Sequence, residues 1–215
     1  VPCDAPQGHT VIQVDPSGEN CIIVFGGSNR LLGRAHIDAV LDTLAPGDFV
    51  LAQNEISSLD YLLPAAAGRG LRVVLNASPI DDALPALDLS GLAWLVINEL
   101  ECAALSGQAS VQAGYEALKA RYPNVGILLT LGEGGSVSWQ DGREVRQEAF
   151  PVRAVDTTAA GDTFLGYFVG CLAQGMARQE AMALASMAAA IAVTRPGAAP
   201  SIPTMAEVRA ALRKR

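Results

Sequence analysis

Between residues 49 and 131, short apolar β-branched runs alternate with amphipathic stretches, and this alternation constrains the fold more than any other feature. The runs F-V-L-A at 49–52, L-R-V-V-L at 71–75, A-W-L-V-I at 93–97 and V-G-I-L-L-T-L at 125–131 read as strands. Helices are expected between them at 59–68 (ended by Gly68), 83–87, 98–105 (closed by Gly107) and 111–121. Strands that are apolar at successive positions are buried on both faces, so helices must cover both sides. The expected fold is therefore α/β, a doubly wound and mainly parallel sheet. A helix at 37–44 precedes it. Strands at 136–139 and 144–150 turn about Asp141-Gly142, and helices at 163–174, 178–193 and 205–213 finish the chain.

The first residues follow another pattern. H-T-V-I-Q-V at 9–14 and N-C-I-I-V-F at 20–25 flank Asp15-Pro16-Ser17-Gly18, a turn signal, and predict a β-hairpin that projects from the main sheet. Gly26-Gly27-Ser28-Asn29 reads as a flexible exit. This divides the chain into a hairpin segment, 1–30, and an α/β domain, 31–215. The chain opens on Val1 in V-P-C-D-A-P-Q-G, a poor start for a domain, and residues upstream are expected to have been lost or left out.

Half of the 215 residues are hydrophobic, ample for one packed domain. A net charge of −7 argues against a nucleic-acid-binding surface. An acidic chain that handles a polyanion needs a cation and helix N-termini to help it. Cys3, Cys21, Cys102 and Cys171 are scattered without a C-x-x-C pair, so a reduced, cytoplasmic location is expected. No apolar run is long enough to predict a membrane span.

The chemistry concentrates in V-D-T-T-A-A-G-D-T-F, residues 155–164. A small-residue loop, 157–162, delivers Asp162 into the first turn of an apolar helix, where unpaired N–H groups favour an approaching anion. A carboxylate there can act as a general base toward an attacking hydroxyl. Asp156 and Asp162 could equally be simple capping residues. L-V-I-N-E-L-E at 95–101 places Asn98 and Glu101 where a strand becomes a helix, a position the helix dipole alone would explain. T-L-G-E-G-G at 130–135 can turn backbone amides toward a nucleotide or merely close a hairpin. Neither G-x-G-x-x-G nor a Gly-Lys Walker loop occurs. A-A-I-A-V-T-R-P-G-A-A-P-S at 189–201 ends a helix on Pro and Gly, and A-Q-N-E at 52–55 ends a strand. His9 and His36 lack metal-ligand spacing.

Together, D-T-x-x-A-G-D, N-x-x-E, T-L-G-x-x-G and A-I-A-V-T-R-x-G-A-x-P-S resemble the ribokinase-type sugar kinases of the phosphofructokinase-B superfamily. The resemblance implies a ribokinase-like fold in which the hairpin is lid and homodimer interface. It implies an ATP-dependent kinase for a small sugar, D-ribose first, with another sugar or nucleoside, or a catalytically incompetent nucleotide-binding fragment, as alternatives. Asp162 would be the base, with the amides of Ala160, Gly161 and Asp162 holding the transferring phosphoryl group. Asn98, Thr130, Leu131, Gly132, Glu133, Gly134, Gly135 and Ser186 would meet the nucleotide, and Glu55 and Asp162 the sugar. Glu101 would act on Mg²⁺ through water. Asp156, Thr158, Ala192, Arg195, Gly197 and Ser201 would enclose K⁺, several through backbone oxygens. Many members carry Gly where this chain has Ala159, which implies a loop that needs no positive φ there. The family's N-terminal part, with its first strands, a sugar-binding Asp and a G-G-x-x-x-N motif, has no counterpart here. G-G-S-N at 26–29 is too short and follows the hairpin.

Overall fold

The computed structural model describes residues 3–14 and 20–214; the expected turn at 15–18 and the opening Val1 lie outside the described residues. A six-stranded sheet runs in sequential order: β3 (Phe49–Gln53), β4 (Arg72–Asn76), β5 (Trp94–Ile97), β6 (Gly126–Thr130), β7 (Ser136–Gln140) and β8 (Arg143–Gln147). The first four strands are parallel, and the last two join antiparallel. The antiparallel pair β1 (His9–Val14) and β2 (Asn20–Phe25) forms a separate sheet, as the turn signal between them implied.

The unbroken apolar runs have a direct explanation. Successive side chains of a strand point to opposite faces. Val73, Leu75, Leu95, Ile97, Ile127 and Leu129 enter one core; Val74, Trp94, Val96 and Leu128 enter the other. The first core is covered by α1 (Arg34–Leu41), α2 (Leu59–Gly68), α3 (Glu99–Ser106) and α4 (Val111–Arg121). The second is covered by α5 (Ala160–Ala173), α6 (Arg178–Ala192) and α7 (Met205–Leu212), through residues such as Phe168, Met182, Ala185 and Val208. Both faces are thus covered, by two routes. Helices between strands fill one side, and the other is closed by helices that follow the completed sheet.

Several boundaries differ from the sequence expectation. The helix expected at 37–44 is Arg34–Leu41, because Thr43 and Leu44 donate to the carbonyls three residues back and close a turn. Leu44 still packs on the core, which is why the apolar period ran on to it. The helix expected at 83–87 is a 3-10 turn, Leu84–Ala86, whose start is held by the Asp81 carboxylate. The exit at 26–29 is not slack. It enters a 3-10 turn, Gly27–Leu31, anchored by Ser28 N–H donating to the Pro6 carbonyl at 2.9 Å.

Candidate active site

The helix α5 starts beside the carboxyl ends of the parallel strands, where ligands gather in open α/β sheets. Its entry depends on Ala159, which adopts the left-handed conformation, φ 59° and ψ 17°. This overturns the expectation that alanine marks a loop without positive φ. The surrounding bonds over-determine the turn. Ala160 N–H donates to the Thr157 carbonyl, and Thr163 N–H to Ala159. Asp156 Oδ1 accepts from Thr158 N–H at 2.9 Å, and its Oδ2 accepts from Gly197 N–H at 2.8 Å. Val193 carbonyl accepts from both Val155 and Asp156. The chain therefore has no freedom to relax residue 159.

Ala160 has its N–H engaged, whereas those of Gly161 and Asp162 make no hydrogen bond among the described residues. These two are among the donors that a helix start leaves unpaired. The Asp162 side chain is exposed and accepts from Gln53 Nε2 at 3.2 Å.

A cleft of about 590 Å³ opens beside this turn, a size suited to a small-molecule ligand. Ala160, Gly161 and Phe164 form one end; Thr130, Gly132, Glu133 and Gly135 form a wall; Ser186, Ala189 and Ala190 of α6 form the floor. The 130–135 loop is stiff. Leu131 N–H donates to Gly135, Gly134 to Leu131 and Gly135 to Gly132. Gly135 has φ 85°, and a Cβ on it would collide with the Gln147 carbonyl. The strand β8 ends at Gln147 and not at 150 because Gln147 pairs with Ser136, the first residue of β7. Ser186 hydroxyl donates to the Glu148 carbonyl at 3.3 Å. Leu131 points to the first core, and neither it nor Gly134 lines the cleft.

Asn98 and Glu101 form a reciprocal capping box at the start of α3. Glu101 Oε2 accepts from Asn98 N–H at 2.8 Å and Oε1 from Asn98 Nδ2 at 3.0 Å. Glu101 is only 4% exposed. Burial raises its carboxyl pKa, opposed by the bonds from Asn98 and the Ser78 hydroxyl. Neither residue lines the cleft, but Thr130 hydroxyl donates to the Ile97 carbonyl at 3.4 Å and ties their strand end to the cleft wall.

Residues 2–205 match the pfkB family carbohydrate kinase profile. The chain is 33% identical to a ribokinase of Schizosaccharomyces pombe over 213 residues, 94% of this chain and 66% of that protein. A ribokinase structure from Cryptococcus neoformans in complex with ADP superposes with a TM-score of 0.85 at 32% identity, covering 97% of this chain and 72% of that one. A ribokinase of Arabidopsis thaliana complexed with ribose and ATP gives 0.80 at 28% identity, covering 98% and 70%. The chain belongs to the pfkB carbohydrate kinase family. It spans about two thirds of the length of the curated relatives it matches.

Against this family frame, the residues anticipated for a monovalent ion fall into two groups. Asp156, Thr158 and Gly197 meet directly. The hydrogen bonds from Thr158 and the Gly197 amide hold the Asp156 carboxyl below its usual range, so it stands as an anion. Ala192 carbonyl accepts from Arg195 N–H, Ser201 hydroxyl donates to Ala198, and the Arg195 guanidinium turns away to Glu207 at 2.6 Å. Those contacts shape the loop. Among the described residues no group of three or more His, Cys, Asp or Glu could hold a metal ion. Glu55 lies half-buried in the turn after β3. Sequence reasoning passed over its neighbours. Gln53 reaches Asp162, and buried Asn54 donates from Nδ2 to the Pro79 carbonyl at 2.8 Å. Their signal was present in A-Q-N-E: two amides at the carboxyl end of an apolar strand.

Proposed function

We propose that this chain carries the catalytic machinery of an ATP-dependent sugar kinase, transferring the γ-phosphoryl group to the primary hydroxyl of D-ribose to give ribose 5-phosphate. The observation that carries this reading is Asp162 in the first turn of α5, beside free N–H groups and next in the chain to Ala160 and Gly161, which line a cleft large enough for a small-molecule ligand. The nucleotide relatives named above hold ADP or ATP, and one also holds ribose. Here the Thr130–Gly135 wall and Ser186 would take the nucleotide, and Glu55 and Asp162 the sugar. Asp162 removes the hydroxyl proton as the new O–P bond forms. The Gly161 and Asp162 amides meet the charge that spreads over the transferring group. Phosphoryl transfer needs mainly positioning and electrostatics, the work this reading assigns to these few residues.

The residues fit the ions this chemistry uses. Glu101, whose two oxygens accept from the Asn98 backbone and side-chain N–H groups, is the carboxylate that would act on Mg²⁺ through water. Mg²⁺ supplies neutralisation of phosphate charge. The Asp156 anion, with carbonyls and hydroxyls of 158 and 192–201, suits a monovalent cation such as K⁺, and Asp156 itself holds the two loops together.

ADP release from ATP with D-ribose, Mg²⁺ and K⁺ tests the reading, with other pentoses and nucleosides as competing acceptors. Asp162→Asn is expected to lower turnover by roughly 100-fold or more while ATP affinity stays. ATP binding by the unaltered chain without transfer to any acceptor would reduce it to a nucleotide-binding fragment. An active Asp162→Asn would remove the base. The hairpin of 1–30 is assigned to lid and homodimer contact, and 31–215 to catalysis. Among the described residues no helix is long and apolar enough to cross a membrane. Cys3, Cys102 and Cys171 are free, which fits a reducing cytoplasm; recovery of the protein outside the cell would contradict that placement.

A further inference from the structure

We infer that Gln53 is a positioning residue for the reaction: its side-chain amide holds one oxygen of Asp162 so that the other faces the acceptor hydroxyl. Asp162 is recruited here as the base, so the role rests on the kinase reading. The contact itself stands on geometry alone. Alternation along β3 sends Ala52 into the first core, and Phe49 into the second. Gln53 shares parity with Phe49, so it faces the layer in which α5 begins. Its height is set by parallel register with Asn76. The next residue pins the strand end, since Asn54 N–H donates to the Ser78 carbonyl at 3.1 Å and its side chain to Pro79. Gln53 Nε2 then lies 3.2 Å from Asp162 Oδ1. A carboxylate only accepts, so the amide nitrogen must face it. Asp162 is exposed at a helix start, and this is the only side chain recorded against its carboxylate among the described residues. The terminal torsion of an aspartate is broad, and this bond selects one setting of it.

The test has two arms on the 215-residue chain. In the first, the side-chain amide resonances of Gln53 are identified by their loss in Gln53→Ala. They should shift in Asp162→Ala while those of the other glutamines stay; an unmoved Gln53 amide means the contact does not exist, and the inference falls. In the second, Gln53→Ala should lower kcat roughly 10–100-fold, with KM for ribose and ATP within about twofold. Gln53→Glu keeps the volume and loses the donor, so it should be as slow. Adding Gln53→Ala to Asp162→Asn should change nothing further. A raised acceptor KM with intact kcat would make Gln53 a sugar contact, and full activity in Gln53→Glu would make it a packing residue; either overturns the role. If the unaltered chain transfers nothing, the kinase reading fails by itself, and the positioning role falls with it even where the amide shift shows the contact.

Discussion

Ala159 is the residue at which sequence logic and tertiary structure part. An alanine argued for an ordinary backbone, yet the turn into α5 requires φ 59°. The left-handed conformation costs an L-residue roughly 1–2 kcal/mol, and it persists because Asp156 clamps the loop to Gly197 and the Val193 carbonyl. Ala159→Gly removes that cost but adds backbone entropy to the unfolded chain, leaving a net gain of about 0.5–1 kcal/mol. Thermal unfolding should show a raised Tm; an unchanged or lowered Tm would mean that alanine is not strained there. Asp162 shows the opposite case. Its place in the helix's first turn follows from D-T-T-A-A-G-D alone, because a small-residue loop ahead of an apolar run leaves few other arrangements.

Among the elements, α7 gives the clearest pH dependence. Thr204 and Glu207 form a capping box at its start, and Arg195 from the loop after α6 completes the arrangement. The Thr204 amide, the Arg195 guanidinium and the Thr204 hydroxyl favour the ionised form and lower the Glu207 pKa from 4.5 to about 2. A depressed carboxyl pKa stabilises the fold above the unfolded value and loses that contribution as pH falls through the folded one. Thermal stability should therefore drop between pH 4.5 and about 2. Glu207→Gln should be less stable than the unaltered chain at neutral pH, and the difference should vanish by the acid end of that window. A constant difference across it would show that the charge is not involved. The box at α3 works the same way through Asn98 and Glu101, but there burial dominates and the carboxyl pKa moves up.

For the whole molecule, the hairpin bears on assembly. Val11 pairs with Ile23 across the hairpin and His9 with Phe25, so these four share one face. Val11, Ile23 and Phe25 are about half exposed, at 50%, 56% and 48%. A two-stranded sheet with an exposed apolar face gains by covering it, and a second copy of the hairpin is the proposed cover. Sedimentation should show a dimer that Ile23→Lys converts to monomer; a monomeric unaltered chain at assay concentrations would sink the proposal.

The order of strands and helices, the separate hairpin and the loop bearing Asp162 could all be read from the sequence, because buried strands and helix starts leave periodic, local signals. Boundaries at 41, 86 and 147 could not, since each is set by a partner distant from it or by a turn competing with the helix. The cleft wall at 130–135 could be suspected from its glycines, but Gly135 is required by a chain 12 residues away in sequence, whose Gln147 carbonyl leaves no room for a Cβ. Most distant of all are Gln53 and Asp162, 109 residues apart and joined by one hydrogen bond. Local chemistry determined which residue stands at the helix start. Only packing the sheet against α5 decided which side chain holds it, because that contact exists in no segment shorter than the folded chain.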